Sequence, residues 1–299
     1  MRHNPIKLEL DQGSKKWHEW RKHTITASRV PAIMGESPFR TPYQVWEEMQ
    51  GLNEEQEQTE AMQRGVLLEP HIRKIASEML GIDLYPAVFQ HPTISYFGAS
   101  LDGISDCGKI ITEIKCGNKK DHENAKLGIV PEKYVGQCQA ILEVRGHEIM
   151  HYVSNFGAKL DAIGQLIDPG ETIIIPVVRN LQYVSEMLAK IKEFWKMVQN
   201  FTPPERQPKD FVFNESDEWT QKAQEYKNLE NSLKDLERRK EVLRDDLLAL
   251  TNGASTMGAG LRVAKVLEKG RVDYNRIPEL IGLNLDSYRK EPITKWRFT

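Results

Sequence analysis

Cysteine is scarce in this sequence, and the cysteines that occur are not spaced as pairs. Cys107, Cys116 and Cys138 are the three thiols among 299 residues. An odd, unpaired set fits neither a disulfide framework nor a thiolate zinc site, and an iron–sulfur cluster held by protein thiolates needs four cysteines. We therefore expect reduced thiols and a cytoplasmic protein without such a cluster.

Long apolar runs and an excess of charge of one sign are also missing. No segment approaches the roughly 20 apolar residues of a membrane span, and the residues after Met1 contain no apolar segment typical of a secretory signal. The net charge is only −2. This excludes a uniformly basic surface but not a local basic groove, because charges of opposite sign can be segregated on a folded surface.

Two carboxylates and one lysine stand out near the middle of the chain. Asp102 ends a predicted strand, and Glu113 and Lys115 lie on the next one, after a turn at residues 105–108. Side chains alternate between the faces of a strand, so Glu113 and Lys115 share a face and Ile114 points into the opposite layer. A tight hairpin would bring Asp102 beside Glu113.

Such a set of groups is typical of metal-dependent phosphodiester hydrolysis. Mg²⁺ is usually bound by one or two carboxylates together with water and substrate phosphate, and a lysine beside it can orient an attacking water. The alternative interpretation is an exposed strand that carries an ion pair, which is common in charged proteins. These three residues alone do not distinguish a metal site from an exposed ion pair, so the rest of the sequence is needed.

A third carboxylate belongs to a long predicted helix, residues 59–80. Glu69 is flanked by apolar residues, so we expect its carboxylate to be more buried than that of a surface residue. A buried carboxylate needs a partner, and a metal ion is one option. Pro70 is expected to kink this helix or to split it in two.

A candidate anion site lies near the start of the chain. Ser28 is predicted to cap a helix that has Pro31 in its first turn, and a helix N-terminus attracts anions. Arg21 precedes this serine by seven residues. The alternative is an ordinary capping serine and a surface arginine.

The periodicities of the first 200 residues predict a mixed α/β core, in which helices cover both faces of a sheet. The predicted helices are residues 14–23, 41–50, 59–80, 131–144 and 181–200. The predicted strands are residues 84–90, 95–101, 109–115, 147–156 and 171–178.

The C-terminal region is predicted to be a separate unit. Residues 201–210 form a proline-containing linker, which divides a domain of residues 1–200 from one of residues 211–299. Residues 219–250 predict one long helix, whose leucines are spaced by threes and fours over about three heptads, typical of a coiled coil. A small β tail is predicted at 262–267 and 271–274. We interpret the helix as an oligomerisation or packing element, or as a docking arm for a partner.

Six short motifs resemble, in order and spacing, those of the YqaJ-like viral recombinases, a family similar to the phage lambda exonuclease. The resemblance covers about residues 12–156. The motifs are Trp17-His18-x-x-Arg21, Ile25-Thr26-Ala27-Ser28, Arg64-Gly65 with Glu69, Gly98-Ala99-Ser100-x-Asp102-Gly103, Glu113-Ile114-Lys115-Cys116 and Gly136-Gln137-x-Gln139.

The resemblance implies a restriction-endonuclease-like PD-(D/E)XK core and a nuclease. It implies 5′→3′ digestion of one strand of linear duplex DNA, dependent on Mg²⁺ with Mn²⁺ as a substitute. The product is a 3′ single-stranded tail for phage-type recombination by single-strand annealing. The catalytic set that it implies is Glu69, Asp102, Glu113, Lys115 and Gln137, and the implied metal ligands are Glu69, Asp102, Glu113 and the carbonyl of Ile114.

The family also holds the 5′-phosphate of the DNA in a pocket. Its matching positions here are Arg21, Ser28 and Ser100. The second basic residue of the pocket corresponds to Lys119 or Lys120 only approximately, because Asp121 occupies its place. Further implications are a homo-oligomer in the form of a trimeric ring, a single-strand annealing protein as partner, and a phage- or prophage-encoded protein in a bacterial host.

Other functions remain open at the level of sequence. The same core could serve a DNA endonuclease, which would also cut closed circles. A non-catalytic DNA-binding or scaffold protein would act through the coiled coil. A nucleophilic Cys116 assisted by His122 or His151 is a third alternative, although no orienting group or oxyanion element is visible beside it.

Overall fold

The computed structural model of the chain describes residues 3–52, 59–266 and 277. The chain divides into two compact units, residues 1–212 and residues 213–299.

The first unit alternates helices with a run of strands. Its α-helices are α1 (Lys15–Lys22), α2 (Val30–Met34), α3 (Pro42–Met49), α4 (Glu60–Leu80), α5 (Lys119–Lys126), α6 (Glu132–Arg145) and α7 (Leu181–Gln199). Its strands are β1 (Ile6–Leu8), β2 (Ile25–Thr26), β3 (Leu84–Gln90), β4 (Phe97–Ser105), β5 (Ile111–Cys116), β6 (Ile149–Phe156), β7 (Lys159–Leu160), β8 (Leu166–Asp168) and β9 (Glu171–Val178).

One central sheet organises this unit. Its strand order is β1-β3-β4-β5-β6-β9, and the short β2 pairs with β4. Most neighbours are antiparallel, but β5 and β6 are parallel, since the chain crosses between them through α5 and α6. The mixed α/β class predicted from the sequence is confirmed.

Apolar side chains fill both faces of the sheet. The larger cluster joins the sheet to residues of α2, α3, α6 and α7, while the smaller one joins α4 to β3, β5 and β6. Ile114 packs in the smaller cluster with Leu68 and Ile72 of α4, as the strand alternation predicts. The sheet is therefore covered on both faces, and β5 presents alternate side chains to α4 and to α6.

One local prediction is wrong, and one of the two alternatives of another is excluded. Ser28 does not cap α2; it lies in a 3₁₀ turn of residues 27–29, and α2 begins after Arg29 without a side-chain cap. Pro70 does not split α4, which runs as one helix from Glu60 to Leu80. The loss of one backbone hydrogen bond at Pro70 is offset by burial of Leu68 and its neighbours against the sheet.

The described part of the second unit is simple. Helix α8 (Asp217–Leu250) begins at a Ser216 cap and matches the predicted long helix. Strands β10 (Thr256–Gly258) and β11 (Leu261–Val263) then form an antiparallel hairpin, where the sequence predicted one strand at 262–267. The second predicted strand, 271–274, lies outside the described residues. In the described part of the chain, no helix combines the length and apolarity that crossing a membrane requires.

Candidate active site

The candidate site lies where strands β4 and β5 separate. Their paired residues end at Gly103 and Thr112. Beyond that point a side chain replaces the backbone as hydrogen-bond acceptor, since Asp102 Oδ2 accepts a hydrogen bond from the Ile114 amide at 2.7 Å. The two strands therefore separate beside Asp102, Glu113 and Lys115. At Gly103, in the last pair before they separate, there is no room for a side chain, because a Cβ atom there would lie only 2.4 Å from Thr112 Oγ1.

Glu113 connects β5 to helix α6. Its Oε1 accepts hydrogen bonds from Lys115 Nζ and from Gln137 Nε2, each at 2.5 Å. Its Oε2 is buried and accepts no hydrogen bond from any residue that the structure describes. A buried carboxylate oxygen without a donor is costly, so this atom calls for a cation or a water.

Glu69 reaches the same place from the opposite layer. It forms an ion pair with Arg73, one turn later on α4. Arg73 also donates from its Nε to the backbone carbonyl of Asp102. One guanidinium therefore ties the α4 carboxylate to the strand that carries the second carboxylate.

Burial and mutual repulsion disturb the ionisation of these carboxylates. Burial first and the neighbouring Asp102 second raise the pKa of Glu69 to about 7, against the opposing charge of Arg73. The same two causes raise the pKa of Glu113 to about 8. Burial also raises the pKa of Asp102. Desolvation alone would lower the pKa of Lys115, but Glu113 and Asp102 outweigh it and raise that pKa above its usual value.

These observations fit a divalent cation. Three carboxylates of raised pKa interact electrostatically with one another, one of them has an unsatisfied oxygen, and hard cations prefer oxygen ligands. A bound cation would favour the ionised form of each group. The residues placed to hold it are Glu69, Asp102 and Glu113, next to the backbone of Ile114.

The predicted phosphate-binding residues are partly gathered around Trp17. Its indole Nε1 donates to Ser100 Oγ at 2.8 Å, and the Arg21 guanidinium lies 4.6 Å from the centroid of its ring. Ser28 Oγ lies 3.1 Å from Thr26 Oγ1, on the chain segment that follows the β2–β4 pairing.

The two lysines predicted for the phosphate pocket lie on helix α5 and have no described contact with Trp17. Lys119 and Lys120 lie exposed on the first turn of α5. Asp121, by contrast, is buried and forms an ion pair with Lys133 of α6. The basic residue that pairs with Asp121 thus comes from another helix, which spacing along the sequence does not indicate.

Comparison with known proteins agrees with this geometry. Residues 16–148 match the YqaJ-like viral recombinase domain. The resemblance carried by the six motifs is thereby confirmed. The matched region contains the Trp17 cluster, the three carboxylates, Lys115 and Gln137.

The YqaJ-like domain also has a curated relative. "Uncharacterized protein YqaJ" of Bacillus subtilis (strain 168) is 29% identical over 139 residues, which cover 44% of this chain. The match spans 43% of that protein, less than half of its length.

A solved structure is similar as well. The alkaline exonuclease LHK-Exo from Laribacter hongkongensis is 26% identical, with a TM-score of 0.52, over 63% of this chain and 94% of that chain. The structure of LHK-Exo in complex with dAMP gives the same values. This likeness confirms the predicted restriction-endonuclease-like class for the first unit.

A second group of potential ligands lies in the first unit and includes a residue near the start of the chain. Ligand atoms of His3, His91 and Glu143 converge within 4.8 Å of one another. However, His91 Nδ1 is placed to accept from the amides of Thr93 and Ile94, which leaves the proton on Nε2, facing Glu143. The other oxygen of Glu143 pairs with Arg179. A protonated ring nitrogen cannot ligate a metal, so we assign this group to anchoring the chain.

The structure disfavours a role of Cys116 as a nucleophile. Burial raises the pKa of Cys116 to about 11, so its thiol is protonated at neutral pH. His122 instead lies between Ser154, 2.9 Å from Nδ1, and Glu171, 3.3 Å from Nε2.

Three contributions to the site escaped the sequence-based analysis. They are the positioning of Glu69 by Arg73, the Trp17–Ser100 hydrogen bond, and the packing of Tyr134 beside Lys115. Only the first has a sequence signal, since Arg73 follows Glu69 at the helical i,i+4 spacing.

Proposed function

We propose that this protein is a metal-dependent DNA exonuclease. It degrades one strand of linear duplex DNA in the 5′→3′ direction, with Mg²⁺ or Mn²⁺ as cofactor, and leaves 3′ tails for single-strand annealing. The observation that carries the proposal is the electrostatic interaction of Glu69, Asp102 and Glu113 with one another and with Lys115, beside the open end of β4 and β5. The likeness to an alkaline exonuclease over most of the first unit supports it.

Each side chain has a defined task in this mechanism. A divalent cation, when bound, polarises the scissile phosphate and lowers the pKa of a water. Glu113 holds the Lys115 ammonium beside that position, and Lys115 orients the water and stabilises developing negative charge. Gln137 donates to Glu113 Oε1 and so fixes this carboxylate, whose Oε2 accepts no hydrogen bond from the described residues.

The 5′ end of the degraded strand is bound by a separate set of residues. We assign the 5′-phosphate to Arg21, Ser28 and Ser100, with Lys119 and Lys120 as further basic groups. Support comes from Trp17, which contacts both the Arg21 guanidinium and Ser100 Oγ. An arginine and hydroxyl groups are well suited to a phosphate, because the guanidinium donates two parallel hydrogen bonds.

The test uses linear duplex DNA that carries a 5′-phosphate on one strand only, with Mg²⁺ and with EDTA, beside a covalently closed circle. We expect metal-dependent loss of the phosphorylated strand from its 5′ end and an intact circle. Cutting of the circle would identify an endonuclease built on the same site. Absence of cutting from both DNAs would leave a DNA-binding or scaffold role.

Substitution of Lys115 assigns this activity to the site. We expect Lys115→Ala to reduce turnover by about 10²–10³-fold, as is typical when one electrostatic stabiliser is removed. The matched control is Lys126→Ala, because Lys126 is a lysine of the same unit whose partners are Glu123 and Glu171. Undiminished cutting by purified, folded Lys115→Ala would refute the assignment.

A further inference from the structure

Asp121, which lies where the second basic residue of the phosphate pocket was expected, has a basic partner of its own. Asp121 lies at 2.8 Å, through Oδ2, from the Nζ atom of Lys133. The Asp121 side chain is 9% exposed, and its Cβ packs against Gly117, just after β5. The carboxylate is thus fixed beside the end of the catalytic strand, and it fixes a lysine there that belongs to α6.

Two aromatic rings hold the same lysine from the sides. Lys133 Nζ lies 5.1 Å from the ring centroid of Tyr134 and 5.3 Å from that of Phe39. Lys115 also lies near the Tyr134 ring, with its Nζ 5.4 Å from the centroid. Lys133 and the proposed catalytic lysine therefore contact the same ring.

We propose that Lys133 binds a phosphate group of the DNA strand next to the scissile position. The inference rests on the proposed nuclease function and adds a residue to it. An ammonium group has three donors, of which Asp121 and the Tyr134 side chain engage two, and 19% of the Lys133 side chain remains exposed. The third donor is left for a phosphate oxygen, and it belongs to a lysine that contacts the same Tyr134 ring as Lys115.

Lys133 is better prepared for this task than Lys119 or Lys120. Both of those side chains are exposed on α5, so binding must first order them, at a cost in side-chain entropy. Asp121 and the two rings have already ordered Lys133. The acidic Asp121 therefore does not remove positive charge from the end of β5, because it orients the ammonium group of Lys133, which belongs to α6.

A purely structural role makes a different prediction. If the ion pair served only to join α5 to α6, its loss would lower stability without changing the number of phosphates that the protein contacts. The salt dependence of DNA binding separates the two roles, because each phosphate contact to duplex DNA contributes about 0.9 to the slope of log K against log salt.

The experiment measures binding of the full chain to a 5′-phosphorylated duplex by fluorescence anisotropy over a series of salt concentrations, with Ca²⁺ in place of Mg²⁺. We expect Lys133→Gln to weaken binding about tenfold at low salt and to reduce the slope by about 0.9. Lys133→Arg retains the slope. The control Lys126→Gln also retains it, since Lys126 pairs with Glu171 on the other side of α5.

An unchanged slope for Lys133→Gln would overturn the proposal. Lys133→Met keeps the aliphatic stem against the two rings and replaces the first variant if that one does not fold. Cleavage by the unaltered protein is measured separately with Mg²⁺. A slope that depends on Lys133 in a protein that does not cut DNA would refute the nuclease function but not the phosphate contact.

Discussion

At the scale of single residues, the candidate site is a set of carboxylates whose negative charges repel one another, and a bound cation would relieve this repulsion. Glu69, Asp102 and Glu113 repel each other in a buried place, and Lys115 and Arg73 compensate them only in part. Their raised pKa values follow from this arrangement. The protonation of these carboxylates and the binding of metal are therefore linked.

This linkage predicts a pH-dependent stability. Glu69 and Glu113 have pKa values of about 7 and about 8 in the folded protein, against a usual value of 4.5. The metal-free folded state then binds more protons than the unfolded state, so its free energy of unfolding falls as pH rises from about 4.5 to about 8. Thermal unfolding in EDTA across this range measures the effect.

Mg²⁺ is expected to act in the opposite sense. Because the ligands must be ionised to bind it, Mg²⁺ raises the melting temperature more at alkaline pH than at mildly acidic pH. The matched control is Asp102→Asn, in which one ligand charge is removed and the alkaline gain is reduced. A gain in melting temperature that is equal at both pH values would contradict the assignment of these carboxylates as metal ligands.

At the scale of secondary-structure elements, close packing of helix α6 determines where Gln137 lies. Gly136 precedes it, and a Cβ there would lie 2.6 Å from the Tyr183 hydroxyl, which donates a hydrogen bond to Glu36. Helices α2, α6 and α7 meet at this point. The glycine is needed because a side chain would push α6 away from its neighbours.

Two glycine substitutions test this packing. We expect Gly136→Ala to lower the free energy of unfolding by about 1–2 kcal/mol, since overpacking outweighs the gain in helix propensity. Gly65→Ala on α4 is the control, because no atom lies within 4 Å of its Cβ position. It should raise stability by about 0.5–1 kcal/mol. Urea unfolding of both variants provides the comparison, and equal effects would contradict the packing argument.

At the scale of the whole molecule, the long helix α8 has no role in the proposed active site. A stripe of leucines on it is exposed, namely Leu229, Leu233, Leu236, Leu243, Leu247 and Leu250. Its heptad spacing predicts a coiled coil with another helix, and Lys240 occupies one core position. Whether the partner is a second copy of the chain or an annealing protein is a matter for measurement.

Oligomeric state answers this question. If α8 pairs with itself, paired substitutions Leu233→Lys and Leu236→Lys should dissociate the oligomer in light scattering after size-exclusion chromatography. Val242→Lys is the control, because Val242 is also exposed on α8 but lies off the leucine stripe. An unchanged molecular mass for the leucine variant would exclude self-association through α8 and direct attention to a partner protein.

The sequence by itself determined the fold class and the core of the candidate site. The strand alternation at Glu113 and Lys115, the hairpin after Asp102 and the long helices all depend on local periodicity and turn residues, which act over a few positions. For this reason Ile114 was correctly predicted to face the layer opposite to Glu113. The order of the motifs added the residues from other elements, Glu69 and Gln137.

Only the tertiary structure decided which distant groups complete the site. The pairing of Asp121 with Lys133 joins two helices, and Trp17 meets Ser100 across 83 positions of sequence. No local pattern encodes such contacts, because they arise from the packing of helices onto the sheet. The same reason explains the wrong prediction for Ser28: its capping propensity is local, whereas the β2–β4 pairing placed it in a 3₁₀ turn before α2 begins.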